Sequence, residues 1–217
     1  MKYVSSRNKN EIVESHNAII QGLAKDGGLF TPENINIHIN VDELTNLSYQ
    51  QIATKVIHAF LDDFTEEEIS SSVNQAYDNK FDTEEIVPLH KIEDAYLMEL
   101  YHGPTSAFKD IALTLLPHLL IQSYNKENRH DTISILILVA TSGDTGKAAL
   151  SGFADVKHTA ITVFYPEVGV SQVQKKQMQT AIGDNVEVIA VKGNFDDCQR
   201  MVKEATQDPQ VLASLHN

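Results

Sequence analysis

Lys109 stands in the run His102-Gly103-Pro104-Thr105-Ser106-Ala107-Phe108-Lys109-Asp110, between a short predicted strand at 96–101 and a helix predicted to continue to about residue 123. With Lys109 at zero on a 100° wheel, Leu116 and Leu120 fall about 20° to either side, Leu113 at about 40° and Ala112 at about −60°. Asp110, Thr114, His118 and Gln122 take the opposite side. A lysine on an apolar arc either snorkels its ammonium to water or gives up its charge. A neutral amine attacks carbonyls, the chemistry of a Schiff-base lysine. Pattern alone leaves both readings open. Pro117 fits this helix poorly and is expected to kink or shorten it.

A second group, Ala140-Thr141-Ser142-Gly143-Asp144-Thr145-Gly146-Lys147, follows an apolar run and opens a helix. Its glycines admit a ligand to the backbone, its hydroxyls donate, and a helix N-terminus favours an anion. Thr141 and Ala148 stand where a P-loop needs glycine and a hydroxyl residue, which argues against a nucleoside triphosphate. The group is either an anion site or a structural strand-to-helix turn. In a third group, Gly193-Asn194-Phe195-Asp196-Asp197-Cys198, Asn194 reads as a helix cap with acids in the first turn. Those acids oppose thiolate formation, so Cys198 is not expected to be a nucleophile. The nine histidines lack the spacing of a metal pair, and no metal site is expected.

Around these groups the chain reads as α/β. Residues 1–90 are expected to be a mainly helical, acidic subdomain, with helices over 11–23, 48–61 and from 65 onward, and an extended stretch at 29–32. Residues 91–217 are expected to form the α/β part. Strands over 132–139, 160–165 and 186–191 alternate with helices over 146–153, 171–182 and 195–205. This alternation implies a parallel sheet, and the first strand, rich in Ile, Leu and Val, reads as buried on both faces. Such sheets bind ligands at the carboxyl ends of their strands, so residues 141–145 are predicted to face Lys109 there.

Composition narrows the function classes. The 217 residues carry 17 Lys plus Arg against 30 Asp plus Glu, a formal charge of −13, which argues against nucleic-acid and anionic-membrane partners. A small phosphorylated substrate stays compatible, since a few backbone N–H groups and one cation hold a phosphate locally. The single cysteine excludes an internal disulfide and fits a reducing compartment. No apolar run is long enough to span a bilayer and no secretory leader is apparent, so a cytoplasmic setting is expected.

Five segments together resemble the threonine synthases, in the pyridoxal-phosphate (PLP) family called fold type II. They are Gly22-Leu23-Ala24-Lys25-Asp26-Gly27-Gly28-Leu29-Phe30, then Glu99 to Asp110, then Ala140 to Gly146, then Tyr165-Pro166 with Val170-Ser171 and Gln174, and Gly193 to Gln199. The resemblance implies that Lys109 joins PLP as a Schiff base and is catalytic. It implies that Thr141, Ser142, Gly143 and Thr145 receive the substrate carboxylate, and that Asp144 lies beside the cofactor. The implied substrate is O-phosphohomoserine, and the implied reaction yields threonine and phosphate. Lys147, beside the glycine-rich loop, is the competing lysine.

Members of that family are longer. Their PLP phosphate sits in a later Ser-Gly-Asn-Phe-Gly loop, and Gly193-Asn194-Phe195-Asp196 lacks the glycine after Phe. The sequence therefore reads as an N-terminal portion, with the α/β domain incomplete at its C-terminus and inactive alone. Two other readings stand beside it. One is a different fold type II lyase, such as an amino-acid dehydratase, against which the His-Gly-Pro-Thr run counts. The other is a non-catalytic anion-binding α/β domain.

Overall fold

The described residues, 1–127, 135–206 and 208–215, come from a computed structural model. They fall into two units: the described parts of Met1–His102 with Leu115–Asp131, and of Gly103–Thr114 with Thr132–Asn217.

In the first unit, β1 (Lys2–Ser5) pairs antiparallel with β2 (Ile12–Glu14), setting Val4 against Ile12 and Tyr3 against Val13. The helix expected over 11–23 is thus shortened at its start. The β-branched pair at its head joins a sheet, and α1 (Ser15–Gln21) begins only where Asp63 accepts the Ser15 hydroxyl and the His16 N–H. β3 (Phe30–Pro32) completes the sheet on the other side of β1, extended as its proline requires. The expectation of a mainly helical segment therefore needs this sheet added.

α2 (Tyr49–Phe60) and α3 (Glu66–Ala76) form where their caps predict. Ser48 with Gln51, and Thr65 with Glu68, make complete capping boxes. Ile69, Val73 and Ala76 on α3 are fully buried. A hairpin of β4 (Leu89–Ile92) and β5 (Ala95–Met98) follows, exposed along its length.

The single helix expected from Lys109 to about residue 123 is two. α4 (Asp110–Leu113) belongs to the second unit and α5 (Leu116–Lys126) to the first. Pro117 lies in the first turn of α5, where its missing N–H costs nothing. The break cancels the continuous wheel. Leu116 is 39 % exposed and Ala112 is exposed, whereas Asp110 and Thr114, placed on the polar side by the wheel, are buried.

In the second unit β6 (Ile135–Ala140), α6 (Asp144–Phe153), β7 (Thr159–Pro166), α7 (Gln172–Gln179), β8 (Val186–Val191), α8 (Phe195–Ala205) and α9 (Pro209–Leu215) follow in order. The sheet order is β6-β7-β8, parallel throughout, with Ile137 opposite Ile161 and Ile161 opposite Val186. Residues 132–134 of the first expected strand lie outside the described residues. The central β7 is the more buried strand, with Ile161 and Val163 sealed on one face and Thr162 buried on the other, whereas on β6 Leu136 is 38 % exposed. The reason is position in the sheet: β6 is hydrogen-bonded along one edge among the described residues. α7 stops at Gln179, three residues short of its expected end, and α8 runs over its expected residues.

Candidate active site

The turn that delivers Lys109 is built around one buried carboxylate. Asp110, 1 % exposed, accepts the Thr105 N–H at 2.8 Å and the Ala107 N–H at 3.4 Å through Oδ2, and the Thr105 hydroxyl at 2.5 Å through Oδ1. These bonds hold Ser106 in the left-handed region at φ 56°, a conformation that a side chain tolerates only when its surroundings fix it. Lys109 itself caps α4 and is half-buried. Its Nζ sits 4.4 Å from the centroid of the Phe108 ring. Among the described residues it forms no ion pair. So the desolvated arc expected around Lys109 is replaced by one aromatic face and an unneutralised amine.

The turn after β6 uses a hydroxyl in the same way. Thr141 is buried, and its Oγ1 accepts the N–H of Gly143 at 3.0 Å and of Gly146 at 2.9 Å. Gly143 lies at φ 150°, and a Cβ there would meet Gln174 Oε1 at 2.4 Å, so only glycine fits. As the N-cap of α6 it offers no side-chain acceptor. Ser142 is exposed and Thr145 half-buried, and neither hydroxyl has a hydrogen-bond partner among the described residues. The five predicted residues therefore sort by role. Thr141 shapes the turn, while Ser142, Thr145 and the α6 N-terminus keep free donors.

Asp144 accepts the Gln174 side-chain N–H at 2.6 Å, and the Ser171 hydroxyl donates to Gln174 Oε1 at 2.9 Å. Gln174 thus latches the start of α7 to the loop. Sequence reasoning did not assign it a role, although the Ser171-x-x-Gln174 spacing is a capping pattern that marks it. Lys147 is largely buried. Its side chain is 10 % exposed, and Nζ donates to the Thr105 carbonyl at 2.9 Å. α4 and α6 also touch at Gly152, where a Cβ would lie 2.0 Å from the Leu113 carbonyl oxygen. The Lys109 segment and the loop-bearing helix are therefore in direct contact.

The turn after β8 is closed by its own cap. Asn194 and Asp197 close a complete capping box, and Arg200 pairs with Asp197 at 2.7 Å. Cys198 is sealed, and burial followed by the Asp197 charge pushes its thiol up, which fits the inert role expected of it. In the first unit, His102 lies between Glu99, at 2.7 Å from Nε2, and Asp82 at Nδ1. Hydrogen bonds to Glu99 and then Asp82 raise its pKa.

Residues 2–77 match the family model described as "Threonine synthase N terminus". The threonine synthase of Pseudomonas aeruginosa is 36 % identical over 98 % of this chain, and that of Saccharomyces cerevisiae 33 % identical over 99 %. The chain spans 45 % and 44 % of those two relatives' lengths. Among solved structures, PLP-bound threonine synthase from Brucella melitensis superposes with a TM-score of 0.89 at 33 % identity, covering all of this chain and 46 % of that one. The Escherichia coli threonine synthase gives 0.82 at 30 % identity, covering 99 % and 48 %. With the lysine turn, the glycine-backed loop and the parallel sheet all present in one unit, the chain belongs to the threonine synthase family.

Proposed function

We propose that this chain is the lysine-bearing part of a PLP-dependent threonine synthase, a lyase that converts O-phospho-L-homoserine and water to L-threonine and phosphate. One observation carries the reading: among the described residues the Lys109 amine has no ionic partner, in a unit whose adjoining loop keeps unspent hydroxyl and N–H donors. That pairing fits PLP and an amino-acid substrate, because the first needs an amine for its aldehyde and the second needs donors for its carboxylate. When bound, PLP supplies an electron sink for charge developing at the substrate Cα.

The chain's own residues do the rest. Lys109 Nζ would hold the cofactor through its aldehyde, and as a free amine it would be the base for the substrate Cα proton. Ser142 Oγ, Thr145 Oγ1 and the N–H groups at the start of α6 bind the substrate carboxylate, with the helix dipole adding to the attraction. Thr141 and Gly143 set the path of that loop, and Asp144, latched by Gln174, would stand on the cofactor side of it. The cytoplasmic setting belongs to the same reading and is supported by the single buried cysteine. Among the described residues no helix is long and apolar enough to cross a membrane.

A PLP absorbance titration tests this. The chain is expected to develop a visible band that Lys109→Ala removes and that O-phosphohomoserine perturbs. A band that survives Lys109→Ala overturns the assignment. A band that responds to hydroxy amino acids and ignores O-phosphohomoserine would move the chain to a dehydratase-type substrate.

A further inference from the structure

We infer that Lys147 is a positioning residue for Lys109, acting through the Thr105 carbonyl; the inference rests on the proposed cofactor role of Lys109. An ammonium that is 10 % exposed is costly to keep. Its ion pair with Asp144, at 3.9 Å, is the longer of its two polar contacts. The shorter is a 2.9 Å hydrogen bond to the main chain of the turn ahead of Lys109. Thr105 is in turn fixed by Asp110, the residue next to Lys109.

The other side of Lys109 is fixed as well. Leu113 lies against α6 at Gly152, closely enough that no side chain fits between them. The chain is thus held to one helix four residues before Lys109 and four residues after it. That helix is the one that Ser142 and Gly143 lead into and whose first turn carries Asp144 and Thr145. With both ends tied, the Lys109 segment can neither slide along α6 nor roll on it. Lys147 is the one of the two ties that a side chain makes, and so the one that substitution can cut. Its surroundings tolerate the cut, since it lines a cavity of about 280 Å³ with Pro104, Leu150 and Ala154.

The experiment compares the chain with Lys147→Met and Lys147→Arg variants. Each is incubated with excess PLP, reduced with borohydride and digested, and the pyridoxyl mark at Lys109 is measured relative to the marks on all other lysines. A misplacement on the ångström scale costs reactivity steeply, so Lys147→Met is expected to lower that ratio on the order of tenfold. Lys147→Arg, which keeps a charged donor for the Thr105 carbonyl, is expected to restore most of it. Merely structural damage would not be rescued in this site-specific ratio. If Lys147→Met loses cooperative unfolding, Lys147→Gln replaces it, being too short to reach Thr105, with the same drop expected. A wild-type ratio in the Met or Gln variant overturns the inference and leaves the Lys109 reading standing. A wild-type chain marked evenly over its lysines overturns the Lys109 reading, and the inference with it.

Discussion

The turns after β6 and β8 leave the same end of the same parallel sheet, and each opens a helix. The β8 turn is closed: Asn194 accepts the Asp197 N–H, Asp197 accepts the Asn194 N–H, and Arg200 covers the remaining oxygen. The β6 turn is open. Its N-cap is a glycine, and its one buried acceptor, Thr141, binds the N–H groups of Gly143 and Gly146 that shape the loop. A capping side chain at α6 would occupy the space and the donors that an incoming anion needs. The pair shows two ways to start a helix at a strand end: a reciprocal capping box that uses its own donors, and a glycine N-cap whose loop is held from below by one buried hydroxyl.

Thr141→Val breaks the comparison most severely. Valine keeps the volume and removes the oxygen, which leaves two buried N–H groups without an acceptor. Each such group costs about 1–3 kcal/mol, so a loss of roughly 2–6 kcal/mol is expected in a denaturant titration. A loss no larger than that of a surface substitution would mean that the loop is held by Gln174 and packing alone.

Asn194→Ala is the matching cut at the closed turn. Removing an N-cap side chain typically costs about 1 kcal/mol, so a smaller drop in thermal midpoint is expected, with no change in PLP reactivity. Acid sharpens the test. The Asn194 N–H, and then Arg200, hold the Asp197 carboxyl below its ordinary value. A depressed folded pKa means that this stabilisation is present above about pH 4 and is lost as pH falls through the folded value. Asp197→Asn should flatten that part of the acid profile; an unchanged profile would detach Asp197 from it.

The same contrast explains what the sequence disclosed. α8 and β8 were legible to the residue because their signals are local: a β-branched run, then Asn194 and Asp197 three apart. The loop and Lys109 were legible as types in order, through glycine, hydroxyl and amine. The helix after Lys109 was not, because it ends where Thr114 turns its hydroxyl back to the Asp110 carbonyl and Leu115 is buried in the other unit. The tether of Lys147 was illegible for the same reason. Its partner is a carbonyl 42 residues away, and no spacing along the chain announces a main-chain acceptor. The N-terminal sheet was hidden by the short Ile12–Glu14 strand, three residues that also suit a helix.

The smallest expected effect on stability is the most telling about function. Ser142 and Thr145 lie in the open turn with hydroxyls that bind nothing among the described residues. Deleting a hydroxyl that has no partner in the folded chain removes no intramolecular bond, so Ser142→Ala is expected to change stability by less than about 0.5 kcal/mol. If that hydroxyl donates to the substrate carboxylate, its loss removes a charge-assisted hydrogen bond worth roughly 1.5–3 kcal/mol, a weakening of about 10- to 100-fold in the dissociation constant. The two numbers separate the loop's possible roles. The measurement is the O-phosphohomoserine concentration needed to perturb the PLP band, taken beside the thermal midpoint of the same protein. An unchanged midpoint with a large shift in that concentration is the expected pair. A lower midpoint with unchanged substrate response would make Ser142 part of the scaffold, as Thr141 is, and would leave the open turn without its leading donor.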